Sequence, residues 1–320
     1  MKFLKRLGIV FLFLVIVVLV LQVIPKQKYS KENPWLKSSN DGKPLVMAHG
    51  GGRGVYPDNT LSAFDYSYDL GVDVLEMDVQ MTSDGILVLR HGENETGNIR
   101  HMSNCDTVIW EETYQYLYDN CNFGYNFELD GVYPYRDLSH TDWVDAKVHI
   151  TTLESLFDSY GDTILYTIEI KADADAPREA TADELVRLIE LYDLNDYVLV
   201  ATSYEDISLY VKDTYPDIQL STSHNEAQTM IIHSYTLTSV FYNPTSYAAL
   251  QLPRTNSAPV VGELSLDTKL LINTAHSLNM AVHYWTINDP DEMRRLIELG
   301  CDGIITDYPE LLMEIIDEMD

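Results

Sequence analysis

Six residues at or near the ends of short apolar runs carry most of the reactive chemistry of this chain. His49 closes "LVMAH" (45–49), and Glu76 and Asp78 lie two apart in "VDVLEMDV" (72–79). His91 closes "ILVLRH" (86–91), while Glu169 and Lys171 repeat the two-residue spacing in "ILYTIEIK" (164–171). Residues two apart on a strand point to the same side. A single strand-end carboxylate is more often a cap or a solvated loop residue, and a single His more often a structural hydrogen-bonding group. Two carboxylates aimed together are harder to explain that way, because their repulsion costs energy unless a cation or base lies between them. With Glu169 from another strand they make three oxygen donors, the ligand type a hard Ca²⁺ or Mg²⁺ ion requires. Two histidines beside such a cluster suit general acid–base work.

The elements that must position these residues form an α/β pattern, with short apolar runs alternating with amphipathic stretches from Pro44 onward. Further strands are expected at 197–202, 218–222, 239–243, 281–287 and 302–306. Helices are expected at 59–70, 179–192, 204–214, 266–279 and 289–299. Nine strand candidates are one too many for an eight-stranded barrel, and "QMTSDG" is too short for a parallel crossover. Either a crossover helix is missing there or one candidate is peripheral. Residues of about 93–150 break the rhythm, being rich in Tyr, Asn, Asp and Gly. They predict a small insertion over the active-site end of the barrel.

Composition narrows the partners. Six of the 21 basic residues precede Glu32, leaving 15 against 50 acidic ones over the rest of the chain. Such a surface lacks the basic footprint that nucleic-acid binding needs. A negatively charged substrate would then depend on local help from a cation. Of the three cysteines, Cys105 and Cys121 can pair in an oxidising compartment, and Cys301 reads as a small core residue. Residues 8–24 run 17 positions without a charge, near the minimum for a bilayer span, and end without a small-residue cleavage site. The expectation is a tail and uncleaved anchor over 1–30, a polar tether over 31–43 and the main domain over 44–320. The basic residues flanking the run are balanced. A short tail before one long domain favours a single-pass protein of the cell membrane with its domain outside the cytoplasm.

The motifs resemble those of the glycerophosphodiester phosphodiesterase family. "AHGGGRGVYPDNTLSAF" is similar to its opening, a strand-end His, a Gly-rich turn and Pro-acid-Asn-Thr. "DVLEMDVQMTSDGILVLRH" resembles its Glu-x-Asp strand, Thr-x-Asp-Gly turn and second His. "TLESLF", "IEIK", "YWTIND" and "GCDGIITDYPELL" follow in the family's order, so that the resemblance spans about residues 44–314. It implies a (β/α)8 TIM barrel of the phospholipase-C-like phosphodiesterase type, which hydrolyses a glycerophosphodiester or lipid-derived substrate to glycerol 3-phosphate and an alcohol. It also implies a catalytic pair at His49 and His91 and one divalent metal ion, Ca²⁺ or Mg²⁺, on Glu76, Asp78 and Glu169. Lys171 would face the phosphate, Trp285 would line the pocket, and Asn59 would brace the opening loop. Two positions depart from the pattern. Gly50 stands where the family has a phosphate-binding Arg, for which Arg53 is the candidate substitute. Gly92 and then Glu93 follow the second His, where Asp is usual. Two other readings accompany this one: a related barrel lyase that acts on phospholipid and yields a cyclic phosphate, and a degenerate barrel that only binds phosphodiesters.

Overall fold

The computed structural model describes residues 2–92, 97–171, 176–258 and 262–319, without the side chains of residues 2–5, 8, 10, 14, 256–258, 262 and 263. Glu93 lies outside the described residues. The strands are β1 (Leu45–Ala48), β2 (Val74–Met81), β3 (Leu87–Leu89), β4 (Leu165–Ile170), β5 (Val198–Ala201) and β6 (Gln219–Ser221). They continue as β7 (Tyr247–Leu252), β8 (Thr255–Ala258), β9 (Gly262–Ser265), β10 (Ala281–Tyr284) and β11 (Gly303–Thr306). Eight of them close a parallel barrel in the order β1-β2-β4-β5-β6-β7-β10-β11, with β11 returning to β1.

The barrel strands are short and almost wholly buried, as expected where helices cover a parallel sheet. Period-two alternation divides their side chains between two cores. Val46 and Ala48 join the layer between strands and helices, while Leu45 and Met47 point inward. The inner cluster rests on Trp35, which is fully buried. Its indole donates to Gln219 Oε1 at 2.9 Å, and Asn33 Nδ2 donates to the Ala248 carbonyl at 2.8 Å. Residues 33–35, expected within a polar tether, thus form the floor of the barrel. One tryptophan in a polar run is what redirects that segment inward.

The surplus strand is β3, which runs antiparallel to the end of β2, pairing Leu89 with Val79. The missing crossover helix is Leu153–Tyr160, the segment that begins the "TLESLF" motif, capped by the Thr152 hydroxyl. Residues 239–243 are not a strand. Ser239–Phe241 is a single 3-10 turn with Phe241 on the surface, and the barrel strand is β7 instead. Asn243 and Pro244 break the first run, whereas the alanines of β7 hide a strand behind low β-propensity. Ala248 and Ala249 are small where the Trp35 floor comes close.

The insertion has a core of its own, around Ile99, Ile109, Leu117 and Phe123, and contains a Cys105–Cys121 disulfide. Residues Lys2–Val23 form one 22-residue helix, with Leu7, Phe11, Phe13 and Leu19 exposed. Among the described residues no helix is long and apolar enough to cross a membrane, so the expected span is not supported.

Candidate active site

The six chemistry-bearing residues converge at the C-terminal mouth of the barrel, where this architecture gathers side chains from several strand ends. His49, Arg53, Glu76, Asp78, His91, Glu169, Lys171 and Trp285 all line one cleft of about 240 Å³. Every site residue expected from the sequence is therefore brought to a single place.

Glu76 and Asp78 point inward from β2, and the sheet register sets Asp78 beside Glu169 on β4. One oxygen from each of the three carboxylates lies within 4.8 Å of the others. Glu76 and Asp78 are buried at 5% and 3% exposure. Burial, then the charges of Asp78 and Glu169, push the Glu76 carboxyl up to about 7, although His49 and the Gly50 amide oppose the rise. Asn59 fixes Asp78 from both sides: its Nδ2 donates to Asp78 Oδ2 and its Oδ1 accepts from the Asp78 amide, each at 3.0 Å. That double contact needs the positive φ of 55° at Asn59, which asparagine tolerates better than most residues. Lys171 Nζ stands 2.9 Å from Glu169 Oε1 and 3.7 Å from Asp78 Oδ1. Burial alone would lower the Lys171 pKa, but Glu169 and Asp78 outweigh it and raise it. Three convergent, mostly buried carboxylates form an oxygen donor set that fits a hard divalent cation.

His49 follows β1 on a tight turn whose glycines carry positive φ. Its Nδ1 meets Asp307 Oδ1 at 2.7 Å, so that Nε2 faces the cleft, 4.0 Å from Glu76 Oε2. Burial depresses the His49 pKa, but Glu76 and the Asp307 hydrogen bond more than restore it, and the net shift is upward. Asp307 answers in kind: burial raises its carboxyl, and the bond to His49 with the charges of His49 and Arg53 brings it below the usual range. His91 Nδ1 bonds the Gly92 carbonyl at 2.8 Å, and among the described residues no hydrogen bond engages its Nε2.

The turn also bears on the absent arginine. The Gly50 amide donates to Glu76 Oε2 at 2.9 Å with φ at 54°, and a Cβ there would sit 3.1 Å from Asp58 Cβ. The loop is thus shaped for glycine. Arg53 reaches the same cleft, held by Nε to Asp307 Oδ1 at 2.8 Å.

Sequence reasoning missed three contributors. Asp307 lies just beyond β11 and could have been found by the strand-end rule that found Glu169. Ser203, which donates to Glu169 Oε1 at 3.1 Å, offers no such signal. Arg90, fully buried, donates to the carbonyls of Asp58 and Phe123 and so ties the opening loop to the insertion.

The sequence model of the Glycerophosphoryl diester phosphodiesterase family matches residues 49–311. The chain belongs to that family. A glycerophosphodiester phosphodiesterase of Bacillus altitudinis is 26% identical over 278 residues, covering 86% of this chain and 98% of its own. One from Caldanaerobacter subterraneus is 26% identical over 279 residues, covering 86% and 98%. Among solved structures, an Oleispira antarctica phosphodiesterase in complex with the product sn-glycerol-3-phosphate superposes with a TM-score of 0.64. It is 19% identical and covers 87% of this chain and 99% of its own. That superposition shows that the two chains share the barrel fold.

Proposed function

We propose that the chain hydrolyses glycerophosphodiesters to glycerol 3-phosphate and an alcohol, with His49 and His91 as the acid–base pair. The observation that carries this reading is the meeting of both imidazoles with Glu76, Asp78, Glu169 and Lys171 in one cleft. A divalent ion, Ca²⁺ or Mg²⁺, held by the three carboxylates would neutralise charge on the phosphate and lower the pKa of the attacking hydroxyl or water. Lys171 and Arg53 supply the positive side chains for the phosphate. Both histidines line the cleft, so one can take the nucleophile's proton while the other protonates the departing oxygen. Asp307 holds the His49 ring and favours its charged form. Trp285, 46% exposed, offers a face against which the substrate can lie.

The location belongs to the proposal as well. Attachment to the cell membrane is proposed through the exposed apolar side chains of the first helix, without a crossing helix among the described residues, and with the domain outside the cytoplasm. The Cys105–Cys121 disulfide also suits an oxidising compartment.

The deciding experiment uses the full chain, stripped with chelator and resupplied with Ca²⁺ or Mg²⁺, incubated with glycerophosphoethanolamine while glycerol 3-phosphate is measured. Ion-dependent product that His49→Ala abolishes is the expected result. Diester binding without turnover would instead identify a binding protein, and a cyclic phosphate as final product would identify a lyase.

A further inference from the structure

Past Glu169 and Trp285 the cleft opens into a second cavity of about 270 Å³, with Ala201, Ser203 and Gln251 also bordering both spaces. Its chemistry differs from that of the cleft. Among the described residues, Glu169 and His224 are the only ionisable groups in its lining. The Glu169 carboxylate is already engaged by Lys171 and Ser203, and His224 bonds Gln228 at 2.7 Å. Two polar groups at the cavity have no partner among the described residues, Thr222 Oγ1 and Gln251 Nε2, both buried. A buried polar group without a partner is costly, which is an argument for a ligand that supplies one. Leu252 and Leu266 make an apolar floor and Trp285 an aromatic wall.

Neutral donors and acceptors beside an aromatic face suit a molecule that presents hydroxyls on its edges and C–H bonds on its faces. Among the described residues, an ammonium group would find no uncommitted carboxylate here, and an anion no Lys or Arg. The opposite side of the cleft, a wider space of about 630 Å³ under the insertion, is bordered by charged groups that include Arg53, Asp58, Glu128 and Asp307 instead. The geometry points to a subsite for the leaving alcohol in which that alcohol is a neutral polyol, a sugar or cyclitol unit. This rests on the hydrolase reading above.

The test compares glycerophosphoinositol with glycerophosphoethanolamine on the full chain and on two variants. Ala227→Phe fills the cavity from the helix His224–Tyr235, and Thr222→Val removes one unpartnered hydroxyl without changing side-chain shape. The expected wild-type kcat/KM is about tenfold or more in favour of the inositol diester, well below the roughly 10⁴-fold that a site built wholly around a hydroxyl can supply. Ala227→Phe should remove that preference while activity on the ethanolamine diester stays within about twofold, and Thr222→Val should reduce the preference in part. Equal rates on both diesters, faster ethanolamine turnover, or a preference untouched by Ala227→Phe would overturn the inference. If neither diester is hydrolysed, calorimetric binding separates the two failures. Tighter binding of the inositol diester, lost in Ala227→Phe, would keep the subsite and refute the hydrolase. Binding without preference would refute the subsite.

Discussion

Asp307→Asn is the substitution that best separates orientation from mere presence at this site. Every partner of the Asp307 carboxylate is a donor: His49 Nδ1 at 2.7 Å and Arg53 Nε at 2.8 Å on Oδ1, and Asn288 Nδ2 at 2.8 Å on Oδ2. An amide must turn its NH₂ toward one side or the other, so it opposes either Asn288 or the His49–Arg53 pair. The volume is unchanged, while the negative charge that favours the His49 imidazolium and pairs with Arg53 is lost. Positioned proton transfer contributes about 10²–10⁴-fold in rate, and a carboxylate that orients a catalytic imidazole can control most of that. The expected loss in kcat is about 10²-fold or more, with glycerol 3-phosphate release as the assay. A second readout distinguishes this role from a structural one. The Asp307 bond helps to hold the His49 pKa up, so its removal lowers that pKa and moves the corresponding limb of the pH–rate profile to lower pH. A kcat within about threefold of wild type, with the limb unmoved, would refute the reasoning, since acid–base roles are worth far more than that.

Four further outcomes follow from the same geometry. His49→Ala should cost about 10²-fold or more in kcat without lowering the melting temperature appreciably, and near-full activity would remove it from the mechanism. Arg53→Ala should raise KM for diester if Arg53 stands in for the arginine absent at Gly50, whereas an unchanged KM would leave Lys171 alone on the phosphate. A divalent ion that binds the carboxylates of the folded state should raise the melting temperature in a concentration-dependent way. At a hundred times Kd that amounts to about 2.7 kcal/mol, and Asp78→Asn should abolish the shift seen by scanning calorimetry. Replacing Cys105 and Cys121 by Ser opens a link between residues 16 apart, which should cost about 3 kcal/mol by the loop-entropy estimate, measured by denaturant unfolding.

Legibility of this chain depended on whether a residue's role is local. His49, Glu76, Asp78, His91 and Glu169 could be found because a strand end and a two-residue spacing are properties of a few neighbouring positions. The parallel barrel brings any such strand ends to one face. Asp307 obeyed the same rule but was one more acid in an acidic chain, and only its 2.7 Å contact with His49, 258 residues away in sequence, distinguishes it. Errors in the fold had the same origin. Periodicity reads a strand by its β-branched and aromatic content, and so it preferred 239–243 to the alanines of β7. Those alanines are small because the Trp35 floor lies against them, a contact that spans more than 200 residues. The polar segment that carries Trp35 gave no local hint that it closes the barrel. The unpartnered Thr222 and Gln251 groups belong to the same kind of information. Neither residue type marks a site by itself, and both gain meaning only where β6 and β7 bring them to one cavity beside Glu169. The candidate catalytic groups were therefore readable strand by strand, whereas the features that would choose a substrate arise between strands.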